Sequence, residues 1–320
     1  MIFTVQESTR LDVFLSKELE QTRNQIAQLI KKDCINVDKK PTSKPGLKLK
    51  VGQVVGVNLP KQEETKPKKI DFDVEVIFED EHILVINKPT NLTVHPAPSV
   101  KDATLVDWLK HKGVRLSTIS GEERHGIVHR LDKGTSGVMV VAKSNEAHEK
   151  LSLQLQDKSM GRFYIAVIEP PLKELHTIVE KDIGRSINNR LKMAVSEGRK
   201  SAKTHFSKML MSKDERQELI ACKLFTGRTH QIRVHLESLG RHILGDHLYG
   251  SKSNIGKIQR ILLHAYILYF NHPITNEKMQ FTAKVGEDYM EHLEKHFDME
   301  IINEKLNVEG FDHFFDIADN

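Results

Sequence analysis

One carboxylate in this chain stands where a side chain could do chemistry. Asp132 lies in the stretch His-Arg-Leu-Asp-Lys-Gly-Thr-Ser-Gly at residues 129–137, whose glycines and Thr-Ser pair predict a tight loop. The apolar run at 138–142 predicts a buried strand that would hold this loop rigidly. Arg130 and Lys133 would favour the ionised form of the carboxyl group. An ionised aspartate can act as a nucleophile or a general base; the alternative role is a turn cap or a partner of Arg130.

Two further stretches place polar side chains on regular elements. Residues 163–168, Phe-Tyr-Ile-Ala-Val-Ile, predict a strand, on which Tyr164 could simply be a core aromatic. In the stretch Thr-Gly-Arg-Thr-His-Gln-Ile-Arg-Val-His-Leu at 226–236, Thr229 is expected to cap an amphipathic helix. Arg233 lies on that helix, and a plain surface position is its alternative.

The remaining pattern predicts two domains. Residues 9–60 combine two short amphipathic helices with short apolar strands. The polar residues 61–69 then indicate a flexible tether. From Phe72 onward, alternating and continuous apolar runs predict strands, interrupted by helices at 103–110 and 144–158.

Composition and charge indicate a globular protein with an uneven charge distribution. The chain has 320 residues, of which 38% are hydrophobic and 29% charged, which is enough for a sizeable core and two domains. The net charge is +4, but residues 31–50 and 185–203 are basic while the tail from Asp298 is acidic. This separation fits a polyanion-binding face kept apart from the tail, although each run alone could be a solvated surface.

Several classes of protein and site are not indicated. Cys34 and Cys222 are far apart, and no His-Glu-x-x-His, Cys-x-x-Cys or phosphate-binding glycine loop is present, so we expect no metal and no cofactor. The first residues lack a signal-peptide pattern, and the longest apolar stretch, near 261–270, is interrupted by His264. We therefore expect a cytoplasmic protein without membrane association.

The stretch at 129–137, closed by Ala142-Lys143, closely resembles the signature of the RluA/RluD-type pseudouridine synthases. Arg162-Phe163-Tyr164-Ile165-Ala166 and the stretch at 226–236 resemble two more motifs of that family, and Asn87-Lys88-Pro89 resembles a loop beside its catalytic cleft. The resemblance implies that Asp132 is the catalytic aspartate, that Arg233 forms an ion pair with it, and that Tyr164 stacks on the target base. It also implies substrate binding by His129, Arg130, Thr135 and Leu263.

The first domain resembles the S4 RNA-binding domain. The residues that carry this likeness are Arg10-Leu11-Asp12, Thr22-Arg23, Ile30, Val37 and Val51-Gly52. Asp33 stands where that family usually has glycine, and aspartate can adopt the same left-handed conformation. The likeness implies RNA contacts by Arg23, Lys31 and Lys32. The basic segment near 190–200 resembles the synthases' RNA-facing hairpin and adds Arg190, Lys192 and Lys200.

These observations combine into one prediction. We expect an α+β chain, with a mainly antiparallel catalytic domain at 72–297 preceded by an S4-like α/β domain at 1–60, a linker at 61–71 and an acidic tail at 298–320. The resemblance implies a cofactor-free RNA pseudouridine synthase that acts on 23S ribosomal RNA or a large-subunit precursor. Asp132 would attack C1′ or remove a ribose proton, two routes that the sequence leaves open.

Two alternatives to this function stay open at the sequence level. The chain could be a catalytically silent RNA-binding factor in ribosome assembly, although such a protein has no need of a carboxylate in a phosphate-facing cleft. It could also perform the same chemistry on transfer RNA. We expect a monomer whose partner is RNA, with the acidic tail either docked on the catalytic domain or disordered.

Overall fold

The structure is a computed structural model that describes residues 1–19, 21, 23–31, 33–58, 68–97, 100–119, 125–250 and 258–315. The chain divides into two compact units, Met1–Pro67 and Lys68–Asn320. Residues 61–67 of the predicted linker and Thr22 lie outside the described part. The predicted domain boundaries at 60, 71 and 297 stay a prediction.

The first unit consists of two short helices packed on a small antiparallel sheet. Its elements are β1 (Ile2–Thr4), α1 (Leu11–Glu18), α2 (Arg23–Lys31), β2 (Ile35–Val37), β3 (Lys40–Pro41) and β4 (Val54–Val57). The strands lie in the order β1-β4-β2-β3. Leu11, Leu15, Ile26 and Ile30 form fully buried helix faces, as amphipathic spacing requires. Asp33 follows α2 with a left-handed φ of 54°, as predicted.

The second unit contains a large sheet, a small hairpin and five helices in its described ranges. The strands are β5 (Glu75–Glu79), β6 (Ile83–Lys88), β7 (Ser136–Ala142), β8 (Gly161–Glu169), β9 (His176–Glu180), β10 (Ile183–Arg185), β11 (Met193–Val195), β12 (Lys203–Met211), β13 (Glu218–Leu224), β14 (His242–Ile243), β15 (Leu263–Asn271) and β16 (Lys278–Thr282). The helices are α3 (Leu105–His111), α4 (Asn145–Asp157), α5 (Gln231–Ser238), α6 (Glu287–His296) and α7 (Met299–Lys305), and a 3₁₀ helix spans Val308–Phe315.

The large sheet is ten-stranded and almost entirely antiparallel. Its order is β5-β6-β7-β15-β8-β13-β12-β9, with β14 beside β8 and β16 beside β15. The exception is the parallel pair β7 and β15. Here Gly137 has a φ of +121° and lies so close to the backbone of Ala265 that a Cβ atom would clash with it. The described elements confirm the predicted α+β fold class.

The central strand β8 shows why the two faces of this sheet differ. Successive side chains of a strand point to opposite faces. Tyr164 and Ala166 pack on one face with residues of β6, β7 and α3. Phe163 and Ile165 pack on the other face with residues of α6 and α7. One face is therefore available for a site, while the helices near the C-terminal end cover the opposite face.

Helix boundaries follow their capping residues. Thr104 forms a capping box with Asp107 at the start of α3, and Ser144 caps α4 by accepting the backbone N–H of Ala147. The prediction that Thr229 caps α5 is wrong. His230 occupies the N-cap with a left-handed φ of 58° and makes no side-chain cap bond. The His230 imidazole instead forms a hydrogen bond with the hydroxyl of Tyr249.

The described part of the acidic tail packs against the large sheet of the second unit. Asp298 caps α7 by accepting the N–H of Glu300 at 3.0 Å. Ile302 and Phe311 are fully buried in the cluster behind β8, and Phe315 is nearly so. Charged residues thus lie outside while aromatic rings fill the core. Residues 316–320 of the predicted tail lie outside the described part.

The buried ring of Phe311 predicts a measurable share of the stability. We expect Phe311→Ala to lower the free energy of unfolding by about 3–5 kcal/mol, because it removes a buried ring and leaves a cavity. Phe314→Ala is the matched control, since Phe314 lies in the same 3₁₀ helix but only partly packs on the cluster. Urea unfolding followed by the fluorescence of buried Trp108 checks this; an equal effect of both variants would contradict the docking.

Candidate active site

A cavity of about 350 Å³ opens on the face of the sheet that carries Tyr164. It brings together all the catalytic and substrate-binding residues singled out from the sequence. These are His129, Arg130, Asp132, Thr135, Tyr164, Arg233 and Leu263. Residues far apart in the chain, from β8, β15, α5 and the loop before β7, therefore meet at one place.

Asp132 is held by a loop that is tied down from several sides. Its carbonyl accepts the N–H of Thr135 at 3.1 Å, which closes the turn before β7. The hydroxyl of Thr90 donates to the carbonyl of Gly134 at 2.8 Å. The Asp132 side chain itself is 18% exposed and faces the cavity. The carboxylate is thus positioned by its backbone and remains accessible to a ligand.

The cation that pairs with Asp132 comes from α5. Arg233 donates from Nη1 to Oδ2 of Asp132 at 3.2 Å, which is the ion pair that the resemblance implies. Lys133, one of the two flanking cations expected to act on Asp132, instead lies with its Nζ 4.0 Å from Asp102. Arg130 Nη1 lies 3.1 Å from Nε2 of His95. The strongest electrostatic support thus comes from a residue 101 positions away in the chain.

Arg233 is itself fixed by a second carboxylate and an aromatic ring. Its Nε and Nη2 donate to Asp246 at 2.7 and 2.8 Å, and its guanidinium lies 4.7 Å from the centre of the Tyr249 ring. Burial would raise the pKa of Asp246, but the hydrogen bonds from Arg233 hold that pKa below the usual value. Asp246 therefore stays ionised, and one edge of the guanidinium is left for Asp132.

Tyr164 and Leu263 form the wall of the cavity on the sheet. Cross-strand neighbours place both on one face: Tyr164 pairs with Ala265, and Leu263 pairs with Ala166. Both side chains are at least 95% buried. Burial raises the pKa of Tyr164, so its hydroxyl is neutral at physiological pH. An aromatic ring beside an aliphatic side chain is suited to hold a flat heterocycle.

His129 contributes a neutral ring to the cavity. Its Nε2 accepts the backbone N–H of Val140 at 3.2 Å, so the ring is part of the support of β7. Burial lowers its pKa to about 3. Thr135 also lines the cavity and is buried. These two residues shape the cavity and carry no charge into it.

Lys88, Gln231 and His230 are the residues that the sequence analysis left without a role. Lys88 is fully buried and donates from Nζ to three carbonyl oxygens, those of Pro89 at 2.7 Å, Leu92 at 2.9 Å and Lys133 at 3.3 Å. Burial lowers its pKa to about 7, although nearby Asp132 raises it. Lys88 thus connects the loop of Asp132 to strand β6. The resemblance placed Asn87-Lys88-Pro89 beside the cleft, and these hydrogen bonds show what Lys88 does there.

Gln231 performs the same task for the loop before α5. Its side-chain oxygen accepts the hydroxyl of Thr226 at 2.7 Å and the N–H of Arg228 at 2.9 Å. Its amide donates to the carbonyl of Lys203 at 3.0 Å. His230 lies next to it, with Nε2 3.9 Å from Oδ2 of Asp132. Gln231 and His230 both belong to the motif at 226–236, which is the sequence signal that could have drawn attention to them.

The predicted RNA contacts lie on several surfaces. Lys200 lines a second cavity, of about 540 Å³, that shares Gly227–Thr229 with the first. Lys192 pairs with Glu237 at 3.2 Å, and Arg190 is exposed at the turn between β10 and β11. In the first unit, Arg23 pairs with Asp12 at 2.8 Å and Lys31 is exposed. Lys32 lies outside the described residues.

Neither a metal site nor a membrane span is found in the described ranges. There, His, Cys, Asp and Glu side chains do not gather in groups that could hold a metal ion. None of the helices in the same ranges has the length and apolar character needed to cross a bilayer.

The fold of the second unit has a counterpart among solved structures. A solved structure, human RNA Pseudouridylate Synthase Domain Containing 1, aligns with a TM-score of 0.55 at 22% identity over 67% of this chain and 84% of that chain. The RNA pseudouridylate synthase model matches residues 82–238, and the S4 domain model matches residues 9–55.

Sequence relatives extend the match to nearly the whole chain. An uncharacterized RNA pseudouridine synthase of Helicobacter pylori strain J99 is 49% identical over 96% of this chain and 95% of its own length. A ribosomal large subunit pseudouridine synthase D of Zymomonas mobilis is 40% identical over 87% of this chain and 91% of its own length. The chain therefore belongs to the RNA pseudouridylate synthase family, and the predicted family, enzyme class and S4 domain are confirmed.

The contacts of Asp246 predict that it positions Arg233. We expect Asp246→Asn to lower the free energy of unfolding by about 3 kcal/mol, because it leaves a buried guanidinium poorly paired. The rate of pseudouridine formation should fall about 10²-fold, since Arg233 would no longer be aligned with Asp132. Urea unfolding and a single-turnover assay measure the two effects.

Glu146→Gln serves as the matched acid-to-amide control. Glu146 forms an exposed pair with Lys150 in α4, and such pairs contribute little. If both variants behaved alike, Asp246 would have no positioning role.

Proposed function

We propose that this enzyme converts specific uridines of 23S ribosomal RNA to pseudouridine, with Asp132 as the catalytic residue. The observation that supports this best is the placement of an accessible carboxylate between a fixed arginine and an aromatic-aliphatic wall in one cavity. Isomerisation breaks the N1–C1′ bond, turns the uracil and joins C5 to C1′. It requires a base that has left the RNA stack, a carboxylate at the ribose and a surface on which the base can turn.

Each cavity residue takes one part of this reaction. Tyr164 and Leu263 hold the flipped base, whose unstacking costs a few kcal/mol. Asp132 attacks C1′ or removes a ribose proton, and Arg233 keeps the carboxylate oriented. Arg130 lies at the cavity edge with its planar guanidinium, which suits the space that the base vacates. Thr135 and His129 close the cavity behind the ribose.

We propose large-subunit ribosomal RNA as the substrate because relatives that match this chain over most of their length are named ribosomal large subunit pseudouridine synthases. Ribosomal large subunit pseudouridine synthase D of Zymomonas mobilis is one of them. Such RNA is made in the cytoplasm, and we propose that the enzyme acts there as a monomer.

Basic side chains of both units would neutralise RNA phosphates. They are Arg190, Lys192 and Lys200 in the second unit and Arg23 and Lys31 in the S4 domain.

The function is tested by mapping pseudouridines in cells. 23S ribosomal RNA is treated with carbodiimide and reverse-transcribed from cells that lack the gene and carry either the wild-type chain or Asp132→Asn. We expect one set of stops to depend on the wild-type chain and to be absent with Asp132→Asn. Unchanged stops in 23S RNA with changed stops in transfer RNA would move the substrate there; unchanged stops in both would leave only an RNA-binding role.

The same variant separates binding from chemistry. Asp132→Asn removes a negative charge from an RNA-facing cavity, so we expect the purified protein to bind a 23S fragment at least as tightly as the wild type. A filter-binding titration measures this. Loss of binding together with loss of turnover would show that Asp132 supports the fold of the site and not the reaction.

The basic hairpin predicts a salt dependence. Replacing Arg190 and Lys200 by glutamine should weaken RNA binding and reduce the slope of log K against log salt by about 1 for each phosphate that is no longer neutralised. Lys150→Gln, a charge change on the exposed face of α4, is the control. A slope that stays at the wild-type value would place the RNA away from this hairpin.

A further inference from the structure

We propose that His230 is a second catalytic residue, the base that removes the C5 proton of the rotated uracil after C5 has bonded to C1′. This inference rests on the proposed isomerisation and names a residue for a step that Asp132 does not cover. His230 lines the cavity, and its Nε2 lies 3.9 Å from Oδ2 of Asp132. It is therefore beside the ribose at which the new bond forms.

The atoms of the reaction require this step. When C5 bonds to C1′, C5 carries both the ribose and its original hydrogen, and the ring holds a C6=N1 double bond. A base must take the C5 proton. The electron pair of the C5–H bond then forms C5=C6, and the electrons of C6=N1 move to N1. N1 finally takes up one proton from the imidazolium or from solvent, so no co-reactant is needed.

The other titratable groups of the cavity are unsuited to accept this proton. Those described along its lining are His129, Arg130, Asp132, Arg162, Tyr164, Arg228, His230 and Arg233. The arginines are permanently protonated and cannot act as bases. The Tyr164 hydroxyl is neutral and buried. Asp132 is released once C5 has bonded to C1′, but its Oδ2 accepts the N–H of Arg233, and an ion-paired carboxylate is a weaker base than a neutral imidazole. Two imidazoles remain.

Geometry separates these two imidazoles. The Nε2 lone pair of His129 already accepts the N–H of Val140, and its Nδ1 is buried, so neither nitrogen can receive a proton from a ligand. In His230, Nδ1 is bonded on the protein side, to the hydroxyl of Tyr249 at 2.8 Å. Its Nε2 is the nitrogen turned toward Asp132. His230 is thus the imidazole whose second nitrogen is open to substrate.

Tyr249 can support both neutral forms of His230. Its hydroxyl accepts the N–H of Met193 at 2.7 Å and has the carbonyl of Met193 within 3.2 Å. If the hydroxyl donates to that carbonyl, it accepts Nδ1–H, and Nε2 is a free base. If it donates to Nδ1, then Nε2 carries the proton. The hydrogen bond between Nδ1 and the Tyr249 hydroxyl is therefore kept whether or not Nε2 carries a proton.

Backbone strain also marks this position. A non-glycine residue in the left-handed region is strained and persists where the surroundings impose it, often at functional sites. The φ of 58° at His230 turns the side chain away from an ordinary N-cap role. Burial lowers its pKa, while Asp132 and Asp246 raise it and Arg233 and Arg130 lower it. A neutral ring at pH 7 follows, which is the form that a base requires.

Paired substrates that differ only at C5 test the proposal. One 23S RNA transcript carries uridine and the other carries 5-fluorouridine, which has no C5 proton to lose. His230→Gln should slow the uridine reaction about 10²-fold, the usual share of a general base. It should leave unchanged the rate at which 5-fluorouridine is rearranged up to the C5–C1′ bond. His242→Gln, a histidine of strand β14, is the matched control and should react with both RNAs as the wild type does.

A second pair of measurements guards against a misfolded variant. Added imidazole should restore the uridine reaction of His230→Ala. The wild-type rate should fall only at pH values below the ordinary histidine pKa of about 6.5, because burial lowers the pKa of His230, and this fall should be absent from His230→Gln. Equal slowing of both RNAs by His230→Gln, or no slowing, would overturn the proposal. If wild-type protein rearranged neither RNA, the proposed function itself would fail, which is a different result.

Discussion

The ion pair between Asp132 and Arg233 is the interaction on which the site depends. A surface that binds RNA must be positive, whereas the proposed reaction needs a carboxylate within that surface. A lone carboxylate there would repel phosphates, and a mobile cation beside it would be drawn to the RNA. Arg233 avoids both outcomes because two of its nitrogens are already held by buried Asp246. It neutralises Asp132 and cannot easily leave it.

The sheet provides the geometry that this pair requires. β8 and β15 place an aromatic and an aliphatic side chain on the same face, while the loop before β7 and the first turn of α5 approach from the side. Tyr249 connects α5 to the β10–β11 hairpin. Its ring lies against the guanidinium of Arg233, and its hydroxyl bonds both to His230 and to the backbone of Met193 in the hairpin. The β10–β11 hairpin and the residues proposed to react are therefore supported by the same side chain.

Local patterns in the sequence predicted much of the fold, and the resemblance to the synthase family supplied the list of site residues. Alternating apolar residues located the strands, and Ser144 and the apolar face of 144–158 located α4 within one residue. Such local patterns could not predict which residues hold the site residues in place. The roles of Asp246 and Lys88 depend on partners that are 13 and 45 positions away. The N-cap at His230 was missed because Thr229 is the better capping residue by type, and the tertiary contact with Tyr249 overrides that preference.

The same reasoning explains why the face opposite the cavity is covered by helices near the C-terminal end. A sheet strand that exposes Tyr164 to a cavity must bury its alternate residues, Phe163 and Ile165, on the reverse side. α6, α7 and the 3₁₀ helix supply that cover with Tyr289, Leu293 and Phe311. None of the described residues of these helices lines the cavity, but their packing with Phe163 and Ile165 supports the strand that carries Tyr164. The acidic surface of these helices lies on the side of the sheet away from the proposed RNA face, where its charge opposes binding least.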